Sequence, residues 1–578
     1  MPESAAGFLT PTTSRLAMQR RYCQIGGAAL LAAILVACGG SSSDNKGEGG
    51  NAGGGPGAEV PVDTLASFKQ QTLNWQACDA STMKHQDDQK ELAQLGARAQ
   101  CALMRVPLDY ANPSSAELQI EVLKVAAQQP QRKLGAIVFN PGGPGEDALS
   151  SATSAGTKMA QADPDEAGDW LQEMSGRYDL VAFSPRGMGR HSPLNCELME
   201  EPPLPTNFNA DSSAENVGKI QRYAQRLAQA CAANPMSRHI HTEATARDMD
   251  LLRGLLNEEK LNYIGYSYGA WLGAWYAGLF PERVGRMLFD SGVDIASSFD
   301  TLMYAQIPAS ARLIDELLLP YAISQPAKFG LGSDLAALRL RLLALSAPLK
   351  SALATVWDFE GLDSDIYAIS AAFGLQDLLA KKPQASWSEM NAAIADSPRF
   401  ANPQVAHQAR MLVARLFSPL AVEERSKESF VYWSVRCNDT GTTGSEQFWV
   451  DQAKDALARY PFSEVSLVEN PCLYWNTEVR KMPAAQQMRT DAPVLLLQSE
   501  YDPLTPMDGA RRNLAALPDA RLIVVEKAHE HGLFPYGTAC VDSHVARYFI
   551  DGKLPLERIS SCAGKEAGAD EDKDEEDA

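Results

Sequence analysis

One short stretch constrains this chain more than any other. Leu261-Asn-Tyr-Ile-Gly265 is an apolar strand pattern, and Gly265-Tyr266-Ser267-Tyr268-Gly269 is a G-x-S-x-G turn. Ala270 to Leu279 then reads as a helix stopped by Phe280-Pro281. A turn that passes this sharply from strand to helix leaves no room for Cβ atoms beside the serine, so flanking glycines are what it requires. The serine hydroxyl then stands above the end of a sheet, and the helix offers its N-terminal N–H groups to a developing negative charge. Set between this strand and this helix, Ser267 reads as a nucleophile rather than as a bystander in a packing turn.

Other apolar runs recur at Leu118–Leu123, Ala136–Phe139, Tyr178–Phe183, Arg286–Phe289, Pro493–Leu497 and Arg521–Val525. Short, nearly continuous runs of this kind suit strands covered on both faces. Helical patterns lie between several of them, as at Thr245–Leu256, where Met249, Leu252 and Leu256 recur at helical spacing. Strands alternating with helices imply an α/β fold, a mostly parallel central sheet flanked by helices. Between Val293 and about Met482 the strand signal fades into Ala/Leu-rich helical stretches, such as 334–345, 405–416 and 447–459. We therefore expect a core in two parts, 66–294 and 486–562, split by a helical cap over 295–485. The segment 563–578, dominated by Asp and Glu, reads as a solvated, disordered tail.

A serine nucleophile needs a base and an orienting carboxylate. Asp502 stands just past the 493–497 run in a Pro-punctuated turn, Asp502-Pro-Leu-Thr505-Pro506, and is preferred over Glu500. Asp290, after the strand that follows the nucleophile helix, is an alternative acid or a turn cap. Of the 8 histidines, His529 and His531 directly follow the last of these strands, and spacing does not choose between them. Two backbone donors must hold the oxyanion. One is expected from Tyr268, directly after the nucleophile. The other is expected from Gly143 in Asn140-Pro-Gly142-Gly143-Pro144-Gly145. As a phosphate loop this stretch lacks the Walker Lys-Ser/Thr, and Glu146-Asp147 would repel phosphate.

The N-terminus carries an address. Arg15, Arg20 and Arg21 precede an apolar run from Ile25 to Ala37, shorter than the roughly 20 apolar residues of a spanning helix and suited to a secretory signal. The run ends in Leu35-Val36-Ala37-Cys38, which resembles a bacterial lipobox, so residues 1–37 are expected to be removed and Cys38 lipidated. Met18 is a candidate start, and the Gly/Ser/Asn-rich stretch after Cys38 suits a flexible tether over 38–65. Gly39 resembles a signal for the outer membrane. The expected location is exported and lipid-anchored to the cell or outer membrane, on its periplasmic or extracellular side.

Of the 10 cysteines, Cys23 falls in the signal and Cys38 at its end. Cys78, Cys101, Cys196, Cys231, Cys437, Cys472, Cys540 and Cys562 remain, an even set in an exported chain, and pairing between sequence neighbours is expected. No Cys-x-x-Cys or His/Cys cluster has zinc-site spacing, and neither metal nor cofactor is expected. With 52 Lys and Arg against 72 Asp and Glu the net charge is −20. That balance opposes a nucleic-acid partner, because affinity there rests on neutralising phosphates. A monomer is expected.

Six motifs stand in one order: Asn140-Pro-Gly-Gly-Pro-Gly145, Pro185-Arg-Gly-Met-Gly189, Gly265-Tyr-Ser-Tyr-Gly269, Phe280-Pro-Glu-Arg-Val284, Asp502-Pro-Leu-Thr-Pro506 and His531-Gly532. Together they resemble the α/β-hydrolase family of secreted tripeptidyl aminopeptidases and proline iminopeptidase-like enzymes, over about residues 70–562. The resemblance implies the α/β-hydrolase fold and a serine exopeptidase that releases short units, tripeptides foremost, from peptide N-termini through an acyl-enzyme. It places the nucleophile on Ser267, the acid on Asp502 and the base on His531, the histidine directly before glycine. Two positions depart from the family: Ser184 stands where Asp usually precedes Pro-Arg-Gly, and Glu530 replaces the Gly before the catalytic histidine, with His529 nearby.

An aminopeptidase must also hold a free α-ammonium, for which a carboxylate is the economical partner. Asp439, in Cys437-Asn438-Asp439, and Glu146 are the candidates, with Asp147 behind them. Trp433, Trp449 and Trp475 either wall a substrate pocket or pack in the core. The same triad would serve a carboxylesterase or lipid esterase. A non-catalytic surface-binding lipoprotein is the alternative outside enzymes.

Overall fold

The computed structural model describes residues 64–565 apart from 164–167, 199–204, 358, 360, 418–426, 466 and 484–492. The signal segment, Cys38, the tether up to residue 63 and the tail from residue 566 lie outside the described residues. Among the described residues no helix is long and apolar enough to cross a membrane.

Ten strands form the sheet: β1 (Gln76–Ala77), β2 (Ala99–Pro107), β3 (Glu117–Val125), β4 (Gly135–Asn140), β5 (Tyr178–Phe183), β6 (Leu261–Tyr266), β7 (Val284–Asp290), β8 (Leu495–Ser499), β9 (Arg521–Glu526) and β10 (Ile559–Ala563). Their order is β1-β2-β3-β5-β4-β6-β7-β8-β9-β10. β1 to β3 pair antiparallel and join β5 antiparallel; from β5 to β10 every pairing is parallel. This is the α/β-hydrolase architecture.

Side-chain alternation explains the apolar runs. In β4, Ala136 and Val138 enter one hydrophobic core while Ile137 and Phe139 enter the other, so a strand buried on both faces reads as continuously apolar. Helices Ala148–Gln161, Gly168–Arg177 and Ala539–Asp551 cover one face; Thr242–Leu255 and the nucleophile helix Tyr268–Leu279 cover the other. Asn140 lies opposite Gly265, Tyr266 opposite Asp290, and Ser499 opposite Val525. The C-terminal ends of β4, β6, β7, β8 and β9 thus share one edge, where open parallel sheets place their sites.

Between β7 and β8 the chain is helical, but it does not form one body. Helices Phe299–Leu313, Lys427–Asp439 and Glu446–Arg459 contribute Phe299, Met303, Trp433 and Trp449 to the same core as the nucleophile helix. A separate core runs from Leu313 to Val413 and includes Leu349, Ile366 and Leu412. Within the helical cap expected over 295–485, the first and last helices pack on the catalytic layer and the residues between them close around their own core.

The cysteines pair as sequence neighbours: Cys78–Cys101, Cys196–Cys231, Cys437–Cys472 and Cys540–Cys562. They close loops of 22 to 35 residues, for which chain entropy gives about 3.5 kcal/mol apiece. The last one fastens the edge strand β10 to the final helix.

Candidate active site

The turn at Ser267 is left-handed, with φ 51° and ψ −119°. Its glycines are dictated by space. A Cβ on Gly265 would lie 2.5 Å from the Gly269 backbone, and one on Gly269 would lie 2.5 Å from the Asn140 carbonyl oxygen. Ser267 N–H donates to the Asp290 carbonyl at 3.0 Å, and the Ser267 carbonyl accepts from Ala270 N at 3.0 Å and Val293 N at 3.3 Å. The nucleophile's backbone is thus fixed by two neighbouring elements.

Past β8, Asp502 is buried and fully engaged. Its Oδ1 accepts the N–H groups of Leu504 at 2.8 Å and Thr505 at 3.0 Å. Its Oδ2 accepts from Gln498 Nε2 at 3.1 Å and lies 2.6 Å from Thr505 Oγ1 and 2.9 Å from His531 Nδ1. With Nδ1–H directed at the carboxylate, His531 Nε2 is the acceptor; it is buried and has no hydrogen-bond partner among the described residues. Burial of the ring opposes its charge. Asp502, by charge and hydrogen bond, with the charges of Asp290 and Glu146 behind it, outweighs that and holds the imidazole above its ordinary pKa.

His529, the rival base, makes no contact with Asp502; its N–H donates to the Glu530 carboxylate at 3.0 Å. Glu530, at the departure from the family pattern, accepts Ser499 Oγ on its carbonyl at 2.7 Å. Ser184, at the other departure, is buried and donates its N–H to the Glu121 carbonyl at 2.9 Å. The neighbouring Arg186 is buried too: Nε and Nη2 each reach Asp248 at 2.8 Å, and the remaining donors meet the carbonyls of Pro107, Leu108 and His239. That motif is a structural clamp.

Asp290, the alternative acid, makes no hydrogen bond to His531. Its carboxylate accepts Phe534 N–H at 2.8 Å, Leu533 N–H at 3.0 Å and Ser291 Oγ at 3.0 Å. Ser291 Oγ in turn accepts Gly532 N–H at 3.0 Å. The pair seats the loop that carries His531. Burial pushes Asp290 up to about 6 against those hydrogen bonds and the nearby His531.

The loop after β4 lies against the elbow. A Cβ on Gly142 would stand 2.7 Å from the Tyr266 carbonyl oxygen and 3.0 Å from Tyr268 N. Gly143 lines the same cleft as Ser267, and Tyr268 opens the nucleophile helix, where first-turn N–H groups have no intrahelical acceptor. On its outer side, a Cβ on Gly145 would lie 2.7 Å from the Glu428 carbonyl oxygen, so helix Lys427–Asp439 rests directly on this loop.

The two carboxylates expected for the substrate amine differ in place. Asp439 is buried at the junction of its helix with the nucleophile helix and is not among the cleft-lining residues. Its Oδ1 accepts Thr242 N at 3.0 Å, and its Oδ2 accepts the Thr242 hydroxyl and Trp271 Nε1 at 3.3 Å. Burial pushes it up to about 7 against those bonds. This arrangement makes Asp439 an anchor between helices. Glu146 is half-buried beside the oxyanion loop and near enough to His531 to act on its charge. Asp147 caps helix Ala148–Gln161 through the N–H groups of Leu149 and Ser150. Trp433 and Trp449 pack in the core, and Trp475 Nε1 donates to Asn438 at 2.8 Å.

The cleft over Ser267 is walled by Phe299, Leu302, Met303, Tyr432 and Leu504, with Asp294, Gln306 and Arg512 as polar members. Sequence reasoning missed Thr505 and Gln498 as supports of Asp502, and Arg512 as a cleft residue. Hydroxyl and amide groups after a strand are too common to single out. Among the described residues, one His/Cys/acid grouping has metal-like proximity, Cys540, His544 and Cys562, and its two sulfurs are joined in a disulfide.

Residues 460–562, which include Asp502 and His531, match the family model of TAP-like proteins. The chain is 28% identical over 490 residues to the tripeptidyl aminopeptidase of Streptomyces lividans, covering 80% of this chain and 83% of that protein. These matches support the TAP-like α/β-hydrolase family. The chain is also 24% identical over 510 residues to the serine protease Hip1 of Mycobacterium tuberculosis, covering 84% and 90% of the two chains. Carboxylesterase B of the same organism is 28% identical over 467 residues, covering 79% and 85%. Among solved structures, esterase E22 aligns at 10% identity with a TM-score of 0.34, covering 78% of this chain and 99% of the esterase.

Proposed function

We propose that this protein is a serine exopeptidase that releases short peptides, tripeptides foremost, from the N-termini of peptide substrates. The observation that carries the reading is the left-handed Ser267 elbow and the buried His531–Asp502 pair, whose two loops are both held by Asp290, with the glycine loop of Gly143 against the elbow. The names of its aminopeptidase and serine protease relatives direct it to peptides.

In the proposed reaction His531 Nε2 removes the Ser267 hydroxyl proton and Oγ attacks the substrate carbonyl carbon. The N–H groups of Tyr268 and Gly143 hold the oxyanion. The C–N bond breaks as His531 returns the proton to the leaving amine, and water then repeats the sequence on the acyl-enzyme. Asp502 keeps the imidazole in the required tautomer. Glu146, at the rim of the oxyanion loop, is the proposed partner of the substrate's α-ammonium.

Tripeptide-linked anilides compared with short-chain p-nitrophenyl esters test the substrate class. Anilide cleavage lost in Ser267→Ala supports the proposal; turnover of esters alone moves the protein to the carboxylesterases. Fluorophosphonate labelling at Ser267 separates either enzyme from a binding lipoprotein. Anchoring through Cys38 is also proposed, and loss of membrane association in Cys38→Ala is its test.

A further inference from the structure

The Ser267 cleft is walled mainly by apolar side chains and includes one ion pair, Arg512 with Asp294. Arg512, on helix Met507–Ala516, directs Nε to Asp294 Oδ2 at 2.5 Å. Asp294 is buried, with a side chain only 2% exposed, and its Oδ1 accepts Ala296 N–H at 3.0 Å. Asn513, next along the helix, accepts Ile295 N–H at 2.9 Å and donates to the Val293 carbonyl at 2.8 Å. The arginine is therefore held at its stem by a fixed carboxylate and a fixed segment. Its side chain is nevertheless 50% exposed, and its terminal nitrogens have no protein partner among the described residues.

A guanidinium bound through Nε keeps the N–H groups of both Nη atoms for a second acceptor, and their planar fork fits a carboxylate. Packing does not call for a charge here, since Phe299, Leu302 and Met303 supply the rest of the wall.

We infer that Arg512, seated on Asp294, is a subsite for a carboxylate of the substrate. The inference rests on the peptidase reading of the cleft, which makes the ligand either an Asp or Glu side chain near the scissile bond or the free C-terminus of a short peptide. Asp294 offsets part of the guanidinium charge, so discrimination comes from directed hydrogen bonds and is moderate, about tenfold in kcat/KM.

The test uses the full chain and matched pentapeptides carrying Glu or Gln at each position in turn, each made as free acid and as C-terminal amide. Products are read by mass spectrometry. A wild-type preference of about tenfold for the carboxylate member of one pair is expected. In Arg512→Gln that ratio falls to near one, and Arg512→Lys retains part of it. Preference for Glu assigns the ligand to a side chain, and preference for the free acid assigns it to the peptide end. A wild-type ratio near one in every pair overturns the inference without any variant, as does a ratio unchanged in Arg512→Gln. If no peptide is cleaved, the peptidase reading fails by itself. The p-nitrophenyl esters of succinate and butyrate then decide the subsite by the same ratio.

Discussion

The carbonyl of Asp290 accepts the N–H of Ser267 at 3.0 Å, while the Asp290 carboxylate accepts the N–H groups of Leu533 and Phe534. One residue at the end of β7 therefore registers the Ser267 turn through its main chain and the His531 loop through its side chain. The nucleophile turn and the His531 loop, far apart along the chain, share a single support.

This arrangement has a pH signature. His531 must be neutral to accept a proton, and its pKa is held above the ordinary value of about 6.5, so kcat/KM should rise with pH through a midpoint above that value. Asp290→Asn and Glu146→Gln each remove a negative charge that favours the imidazolium. The midpoint should move to lower pH in both, and a shift to higher pH would contradict the arrangement. Asp290→Asn should also lower the plateau, because the amide replaces one acceptor of the loop.

Asp502→Asn should lower kcat by about 10³ to 10⁴. The asparagine oxygen can still take the Leu504 and Thr505 N–H groups. Its NH₂ then faces His531 Nδ1, which must become the acceptor and put the ring proton on Nε2. Retained melting temperature with lost fluorophosphonate labelling would mark a tautomer effect rather than unfolding.

Gly145→Ala probes the contact between helix Lys427–Asp439 and the oxyanion loop. Gly145 has φ +103°, and an added Cβ would press on the Glu428 carbonyl 2.7 Å away. Displacement of either partner should reduce kcat tenfold or more, on the order of what small misplacements at a reacting centre produce. Steady-state kinetics on any cleaved substrate measures it.

Asp439, raised to about 7 by burial, binds its proton more tightly folded than unfolded. Its contribution to stability is complete below about pH 4 and is lost as pH rises through about 7. The melting temperature of Asp439→Asn minus that of wild type should therefore be more positive at pH 8 than at pH 4. A difference independent of pH would mean the carboxyl does not titrate in this way.

Arg186 and Asp248 are both fully buried, and removing one leaves the other uncompensated. Arg186→Met should destabilise by about 3–5 kcal/mol, read from urea unfolding.

The strands that carry chemistry were legible because each is buried on both faces and reads as an apolar run ending in a turn. β10 was not: Ile559-Ser-Ser-Cys-Ala563 has no such run, and it forms because β9 offers an edge and Cys562 is tied to Cys540. In β2, Ala102, Met104 and Val106 face inward between Leu103 and Arg105, so alternation hid a strand that no continuous run announced. Spacing could not choose between His529 and His531. The choice is made by Asp502 at Nδ1 and by the Asp290–Ser291 seat, both tertiary contacts. Asp439 and Arg512 show the same boundary from opposite sides: an acid beside a cysteine reads as a site candidate and is held between helices, whereas an arginine that no sequence pattern singles out lines the cleft.

The divided cap bears on how this enzyme can change. The helices that line the cleft with Phe299, Met303 and Tyr432 are folded into, or packed against, the core that holds the nucleophile helix, whereas Leu313 to Val413 close around a core of their own that reaches the acid loop at Tyr501. Substitutions inside that outer core act on a packing unit separate from the one that shapes the cleft wall. Altered selectivity at the cleft wall, by contrast, is bound to the stability of the catalytic layer itself.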